Sequence, residues 1–276
     1  MSEREQTAII IASSSDIGSA MARRWRKKSW KVFGTYRTKS YATEALAEIG
    51  VGLIQCDLSD NRSVQKACLD LRNLCPVWDN LILSVGSQEP IGSFIDCNFD
   101  NWAESIQVNF TNQLRIVKGL LPNRNTNNKL GPCVLFFAGG GTNNATVNYS
   151  AYTVSKISLI KMCELLDAEI SDLRFVIVGP GWVKTKIHEA TLNAGIRAGE
   201  NYEKTKSKLA SNECTSMDDV LDCCDWLIHS PKDAVSGRNF SVVFDMWDTE
   251  ELAKKLINDF NLYKLRRAGN ESLLRK

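Results

Sequence analysis

Thr7-Ala8-Ile9-Ile10-Ile11-Ala12-Ser13-Ser14-Ser15-Asp16-Ile17-Gly18 sets an unbroken apolar run, a polar turn and the start of a helix side by side. An apolar run without polar alternation is the signature of a central parallel strand covered on both faces. The serine-rich turn places small residues and free amides at a helix N-terminus, the ingredients of a site for a diphosphate. A plain strand–turn–helix with an N-capping serine or aspartate reads much the same. A carboxylate beside a diphosphate is repulsive, so Asp16 is expected to cap the helix and turn its side chain away.

The same alternation runs outward along the chain. Strands are expected over 8–11, 32–36, 52–56, 81–85, 134–137, 174–178 and 239–244, and helices over 17–28, 42–49, 61–73, 101–121, 149–170, 218–229 and 251–263. Strands alternating with helices imply right-handed crossovers onto a parallel sheet. The expected fold class is α/β, a Rossmann-type three-layer α/β/α sandwich with a central, mostly seven-stranded parallel sheet. Ligands bind such a sheet beyond the carboxyl ends of its strands. No repeat or linker divides residues 1–276, which read as a single domain with a helical, partly mobile substrate cap at about 186–215 and a C-terminal extension at about 246–276.

Composition narrows the classes. The 276 residues are 43% hydrophobic, enough for one large core. With 34 basic and 32 acidic groups the net charge is +2, which gives no reason to expect nucleic acid or a membrane as partner. The basic run Arg23, Arg24, Arg26, Lys27, Lys28, Lys31 reads as a solvated helix face. Nine cysteines include no C-x-x-C pair, and neither His188 nor His229 lies near a cysteine cluster, so no metal is expected. The charged start (Glu3, Arg4, Glu5) is unlike a secretion signal, and no apolar run reaches membrane length. A cytoplasmic, reducing setting is expected.

The opening segment resembles the T-G-x-x-x-G-x-G motif of the short-chain dehydrogenase/reductase (SDR) family, with Ala12 and Asp16 at the first two glycine positions and Gly18 at the last. The resemblance implies that Ala12, Ser14, Ser15, Asp16, Ile17 and Gly18 cradle a dinucleotide. A methyl group at Ala12 departs from the motif where backbone approaches phosphate. The second strand ends in Gly34-Thr35-Tyr36-Arg37-Thr38-Lys39, with no acidic residue to accept the adenosine ribose hydroxyls. Arg37 is instead placed to clamp a 2′-phosphate, aided by Ser14 or Lys39. NADP(H) is therefore the expected cofactor and NAD(H) the alternative. Asp57 and Leu58 match the family's adenine contacts. Leu83-Ser84-Val85-Gly86 stands where the family reads N-N-A-G, making Ser84, Val85 and Gly86 further cofactor contacts.

Tyr152-Thr153-Val154-Ser155-Lys156 puts a phenol and an ammonium on one helix face, where the cation is expected to lower the phenol pKa for proton transfer. In the SDR family this tyrosine is the acid/base, and the lysine also holds the nicotinamide ribose. Asn109, in Gln107-Val108-Asn109, matches the asparagine that anchors a water-linked proton relay. Pro180, Gly181, Val183 and Thr185 match the P-G-x-V-x-T segment beside nicotinamide and diphosphate. The resemblance spans roughly residues 6–245 and fails at one catalytic position. The family's serine, 13 residues before the tyrosine, is Gly139 here, in Ala138-Gly139-Gly140-Gly141-Thr142. Thr142, Ser150 or backbone amides are the candidates to replace it.

The implied activity is reduction of a ketone or aldehyde to an alcohol, or the reverse, on a small-molecule substrate under a closing cap. The Gly139–Thr142 run, the loop after Gly181 and the tail around Phe244-Asp245-Met246-Trp247-Asp248 resemble an SDR subgroup of surface-polysaccharide and nucleotide-sugar gene clusters, pointing to a sugar or other polar metabolite. Two alternatives stand beside it. One is a cofactor-binding, non-catalytic regulatory or structural protein. The other is an enoyl-thioester reductase using Tyr149, whose spacing to Lys156 fits that branch. Helices 101–121 and 149–170 are the expected surfaces of a homodimer or homotetramer.

Overall fold

The computed structural model describes residues 5–267. Glu3 and Arg4, and the final nine residues of the extension, lie outside them. The first half runs β1 (Thr7–Ile11), α1 (Asp16–Lys27), β2 (Lys31–Tyr36), α2 (Tyr41–Glu48), β3 (Gly52–Gln55), α3 (Asn61–Leu74) and β4 (Asn80–Leu83). The second half runs α4 (Phe99–Ile106), α5 (Asn112–Leu120), β5 (Cys133–Phe137), α6 (Ser150–Glu169) and β6 (Arg174–Gly179). Two cap helices, α7 (Glu189–Ala194) and α8 (Glu200–Ala210), lead to α9 (Met217–His229), α10 (Lys232–Val235), β7 (Arg238–Ser241) and α11 (Glu250–Asn258).

All seven strands are parallel, in the order β3-β2-β1-β4-β5-β6-β7. Their residues alternate between two apolar layers. Ala8, Ile10, Leu135 and Val176 pack with Trp25 of α1 and Val220 of α9, whereas Ile9, Ile11, Phe136 and Ile177 pack with Leu71 of α3, Ile116 of α5 and Leu159 of α6. The central strands are buried on both faces, which explains their wholly apolar sequence. Because β4 returns to the far side of β1, the loops leaving these two strands diverge and open a crevice at their carboxyl ends.

Three sequence expectations change here. The single helix over 101–121 is interrupted by a π-helical turn, Gln107–Thr111, whose extra residue rotates Asn109 inward. The last helix stops at Asn258, short of 263, because the following turn presents the Asp259 and Leu262 carbonyls to the buried Arg238 guanidinium. The basic face of α1 is only in part solvated: Arg24 pairs with Asp218 and Asp222 of α9, and Lys28 with Asp225.

Beyond α11 the chain lies along the outer margin of β7. There the Asn239 amide donates to the Tyr263 carbonyl at 2.8 Å, and Arg266 pairs with Glu164 of α6 at 2.8 Å. The cap is docked, with Ala194, Ala198 and Tyr202 packing on Ile91 and Tyr149.

Candidate active site

The crevice between β1 and β4 contains a cavity of about 670 Å³. Ala12, Ser14, Ser15, Arg37, Asp57, Leu58, Ser84, Val85 and Gly86 all line it, so the sequence-named residues of the adenosine end and of the β4 exit converge. The loop after β1 is anchored on Thr35, whose hydroxyl accepts from the Ala12 amide at 3.0 Å and whose carbonyl accepts from the Ser13 amide at 2.8 Å. Ala12 sits at φ 58°, in the left-handed region where the family has glycine. A non-glycine residue pays about 1–2 kcal/mol there. Gly18 cannot be replaced freely, since a Cβ would stand 2.7 Å from the Ala12 carbonyl oxygen.

The helix cap is Ser15, not Asp16. Ser15 Oγ accepts from the Gly18 amide at 3.2 Å and shares a hydrogen bond with Ser84 Oγ at 2.9 Å, tying the two loops of the crevice together. Asp16 does turn away, but toward the segment after β6, where its carboxylate accepts from the Lys186 amide at 2.7 Å. The amides of Ser14, Asp16 and Ile17 then have no protein acceptor among the described residues. Free amides at a helix start, a serine pair and the Arg37 guanidinium in one crevice form a donor set that suits the phosphate groups of a dinucleotide. Leu58 is held by the buried Asn112, whose amide donates to the Leu58 carbonyl at 2.7 Å.

At the chemical end, Lys156 is buried and donates to the Val85 and Phe137 carbonyls, each at 2.8 Å. One of its three protons is left over. Burial lowers Lys156 to about 7 and raises the half-buried Tyr152 phenol to about 12. The expected lowering of the phenol by its neighbour is therefore not seen. The ammonium lies 5.7 Å from the ring centroid and is turned to strand carbonyls, so desolvation prevails.

Gly139 meets Tyr152 directly. A Cβ there would lie 2.7 Å from the phenol oxygen and 2.9 Å from Cζ, so the tyrosine fills the space of a side chain at this position. Neither hydroxyl candidate for the missing serine is poised beside it. Ser150 Oγ accepts from Trp102 Nε1 at 2.9 Å, and Thr142 stands three residues on, outside the cavity lining.

Asn109 is a buried clamp. Its side chain exchanges two hydrogen bonds with the Ser87 backbone, at 2.8 and 2.9 Å, and its carbonyl accepts from Gln113 Nε2 at 2.6 Å. One lone pair of the carbonyl is thus engaged by protein and the other is left for a further donor. Pro180, Gly181, Val183 and Thr185 do not line the cavity; the Gly181 loop packs on Thr215 and Val243.

Several contacts escaped the sequence reading. The Tyr149 hydroxyl bonds Thr191 Oγ1 at 2.8 Å, and Thr191 donates to Gln88 at 3.0 Å, a chain that ties cap, α6 and the β4 exit. Trp182 stacks on His188 with ring centroids 3.7 Å apart. Ile187 reaches Gly86, and Arg197 of the cap lines the outer cavity wall together with Glu89 and Glu104. Only Gly86 carried a local signal for such a contact.

An all-parallel sheet with this strand order, a crevice at its β1–β4 switch and a tyrosine–lysine pair beside it define a short-chain dehydrogenase/reductase scaffold. The family profile described as enoyl-(acyl carrier protein) reductase matches residues 11–243, and the chain belongs to that family within the SDR group. An uncharacterized oxidoreductase of Schizosaccharomyces pombe is 23% identical over 238 residues, covering 85% of this chain and 95% of the relative. Serine 3-dehydrogenase of Agrobacterium fabrum is 25% identical over 230 residues, covering 82% and 89%. The crystal structure of an actinorhodin polyketide ketoreductase with NADPH superposes with a TM-score of 0.74 at 19% identity, covering 86% of this chain and 95% of that one.

Proposed function

We propose that this protein is an NADP(H)-dependent oxidoreductase that reduces a ketone or aldehyde to an alcohol, with Tyr152 as the proton donor. One observation carries the reading. A point one bond length from the Gly86 Cα, where a Cβ would stand, lies 4.0 Å from both Lys156 Nζ and the Tyr152 ring, and Gly86 lines the cavity that Arg37 and Ser14 also line. The dinucleotide, when bound, supplies the electron pair and hydrogen for the carbonyl carbon. The chain's own groups supply the rest. Tyr152, with its pKa pushed up to about 12, holds its proton at neutral pH and can release it to an oxygen that becomes alkoxide. The remaining Lys156 proton is available to a ribose hydroxyl, and Arg37 to a 2′-phosphate.

The outer cavity, lined by Glu89, Asn101, Glu104 and Arg197, favours a polar substrate such as a sugar. The serine 3-dehydrogenase likeness supports a polar substrate, and the ketoreductase crystallised with NADPH supports the cofactor reading. Exposed Phe99, Val154 and Leu165 on α4 and α6 support a homodimer or homotetramer through those helices. All nine cysteines are free, which suits a cytoplasmic protein. No helix among the described residues is long and apolar enough to cross a membrane.

The family description also raises enoyl reduction, for which Tyr149 would be the active phenol. Its hydroxyl is engaged by Thr191 under the cap, which favours Tyr152. The test is NADPH oxidation by wild type and Tyr152→Phe against a panel of aldehydes, ketones and enoyl thioesters. Wild-type turnover of a carbonyl, lowered by about 10³ in the variant with NADPH affinity within twofold, is expected. A wild type that binds NADPH but oxidises none across the panel would make the protein a binding module.

A further inference from the structure

The cofactor cleft ends abruptly. Its cavity is lined from Arg37 and Asp57 through Ser84, Val85 and Gly86 to Ser87, then turns toward α4 and the cap helix α7. Tyr152 and Lys156 lie immediately behind Gly86 but do not line it. What stands at the boundary is Ile187: its Cδ1 is 3.3 Å from the position of a Cβ on Gly86, the position that also lies 4.0 Å from Lys156 Nζ. A branched apolar side chain and the Lys156 ammonium thus both approach the same point over the Gly86 backbone.

Ile187 is held there from both sides. The residue before it is fixed through its amide to the Asp16 carboxylate at 2.7 Å, with the Lys186 ammonium 3.9 Å from the same side chain. The residue after it, His188, is buried under Trp182, and its Nε2 bonds the Val183 carbonyl at 2.8 Å. Lys186–His188 form a single tight helical turn, so the three residues move together. The strap thus joins the start of α1 to the catalytic face across 170 residues of sequence. By contrast, Arg37, Asp57 and Leu58 lie in the open part of the cleft, which the strap does not touch.

We propose that the Lys186–His188 turn, clasped by Asp16, is a strap whose Ile187 closes the nicotinamide side of the cleft, so that NADP(H) is taken up adenosine end first and must lift the strap to engage Lys156 and Tyr152. The proposal rests on the NADP(H) reading of the cleft. Uptake then has two steps. The adenosine 2′-phosphate half docks on Arg37 and the crevice loops without rearrangement. Only the nicotinamide half bears the cost of displacing Ile187, and that cost lowers the apparent affinity by the fraction of molecules already open.

The test separates the two halves. Calorimetric titration of 2′,5′-ADP and of NADPH is made on wild type, Ile187→Ala and Lys186→Pro. Proline suits the first position of a helical turn, and the extended Thr185 before it (φ −140°, ψ 163°) tolerates proline next in the chain, so Lys186→Pro removes the clasping amide with the backbone path kept. Both variants should bind NADPH roughly tenfold more tightly than wild type and bind 2′,5′-ADP within twofold of it. Amide exchange gives a second readout. The Lys186 amide should exchange slowly in free wild type and with 2′,5′-ADP, and quickly with NADPH. Unchanged NADPH affinity in both variants, or a Lys186 amide equally slow in all three states, overturns the strap and leaves the cofactor reading intact. Failure of wild type to bind 2′,5′-ADP or NADPH overturns the cofactor reading itself.

Discussion

Gly139 occupies the position of the family's serine, and family logic alone would have a serine restored there raise activity. The structure gives the opposite sign. A Cβ at Gly139 would stand 2.7 Å from the Tyr152 oxygen, 2.8 Å from Cε1 and 2.9 Å from Cζ, three contacts each well inside van der Waals range. The ring has little room to retreat, because Lys156 lies on its inner side and the Gly86 backbone beyond its Cε2 edge. Forcing one extra carbon into such a site costs about 1–3 kcal/mol. In a chain of 276 residues that corresponds to a melting temperature lower by roughly 2–5 °C. Gly139→Ala and Gly139→Ser should both show this fall by calorimetry, together with a turnover loss of at least about tenfold as the phenol is pushed off its position. In a Tyr152→Ala background the same Gly139→Ala change should lower the melting temperature little, since the clash partner is gone. Wild-type melting temperature and turnover in Gly139→Ser would refute the packing of Tyr152 on Gly139 and restore the simpler view of a missing hydroxyl.

Arg37→Ala should weaken NADPH by about 1.5–3 kcal/mol while leaving NADH unchanged, as measured by titration; equal losses for both would remove Arg37 from 2′-phosphate recognition. Lys156, lowered to about 7 by burial, binds no proton in the folded state between about pH 7 and its ordinary value of 10.5, whereas the unfolded chain does. Wild-type stability should therefore gain about 1.4 kcal/mol per pH unit across that window relative to Lys156→Met, and parallel pH profiles would show that the ammonium is not desolvated as described. Tyr149→Phe removes one hydrogen bond from the Tyr149–Thr191–Gln88 chain, worth about 1 kcal/mol, so amides of α7 should exchange about fivefold faster. Loss of turnover in Tyr149→Phe but not in Tyr152→Phe would instead identify an enoyl reductase.

The parallel sheet and the loop after its first strand were readable because their signals are local. An unbroken Thr7–Ile11 run can be little other than a buried parallel strand, and Gly18 or Tyr152 with Lys156 carry their meaning within a few residues. What escaped was everything set by partners distant in sequence. Asp16 reads as a helix cap because its neighbours favour one, yet Ser15 reaches the Gly18 amide first and leaves the carboxylate for Lys186. The helix over 101–121 has unbroken periodicity, and nothing in it announces that Asn109 must face the Ser87 backbone, which the π-helical turn achieves. The phenol pKa was misjudged because residue types give the charges but not the burial, and burial decided the outcome.

The tail laid along β7 has a consequence for assembly. An open sheet margin is a template on which another chain can lengthen the sheet. Here the Asn239 amide is already spent on Tyr263, and Arg238 gathers three carbonyls of the chain's own tail into the same seam. Growth of the sheet is therefore self-terminating at this end. Any association built on β7 would first have to displace the segment from Asp259 to Tyr263 that the chain itself lays there.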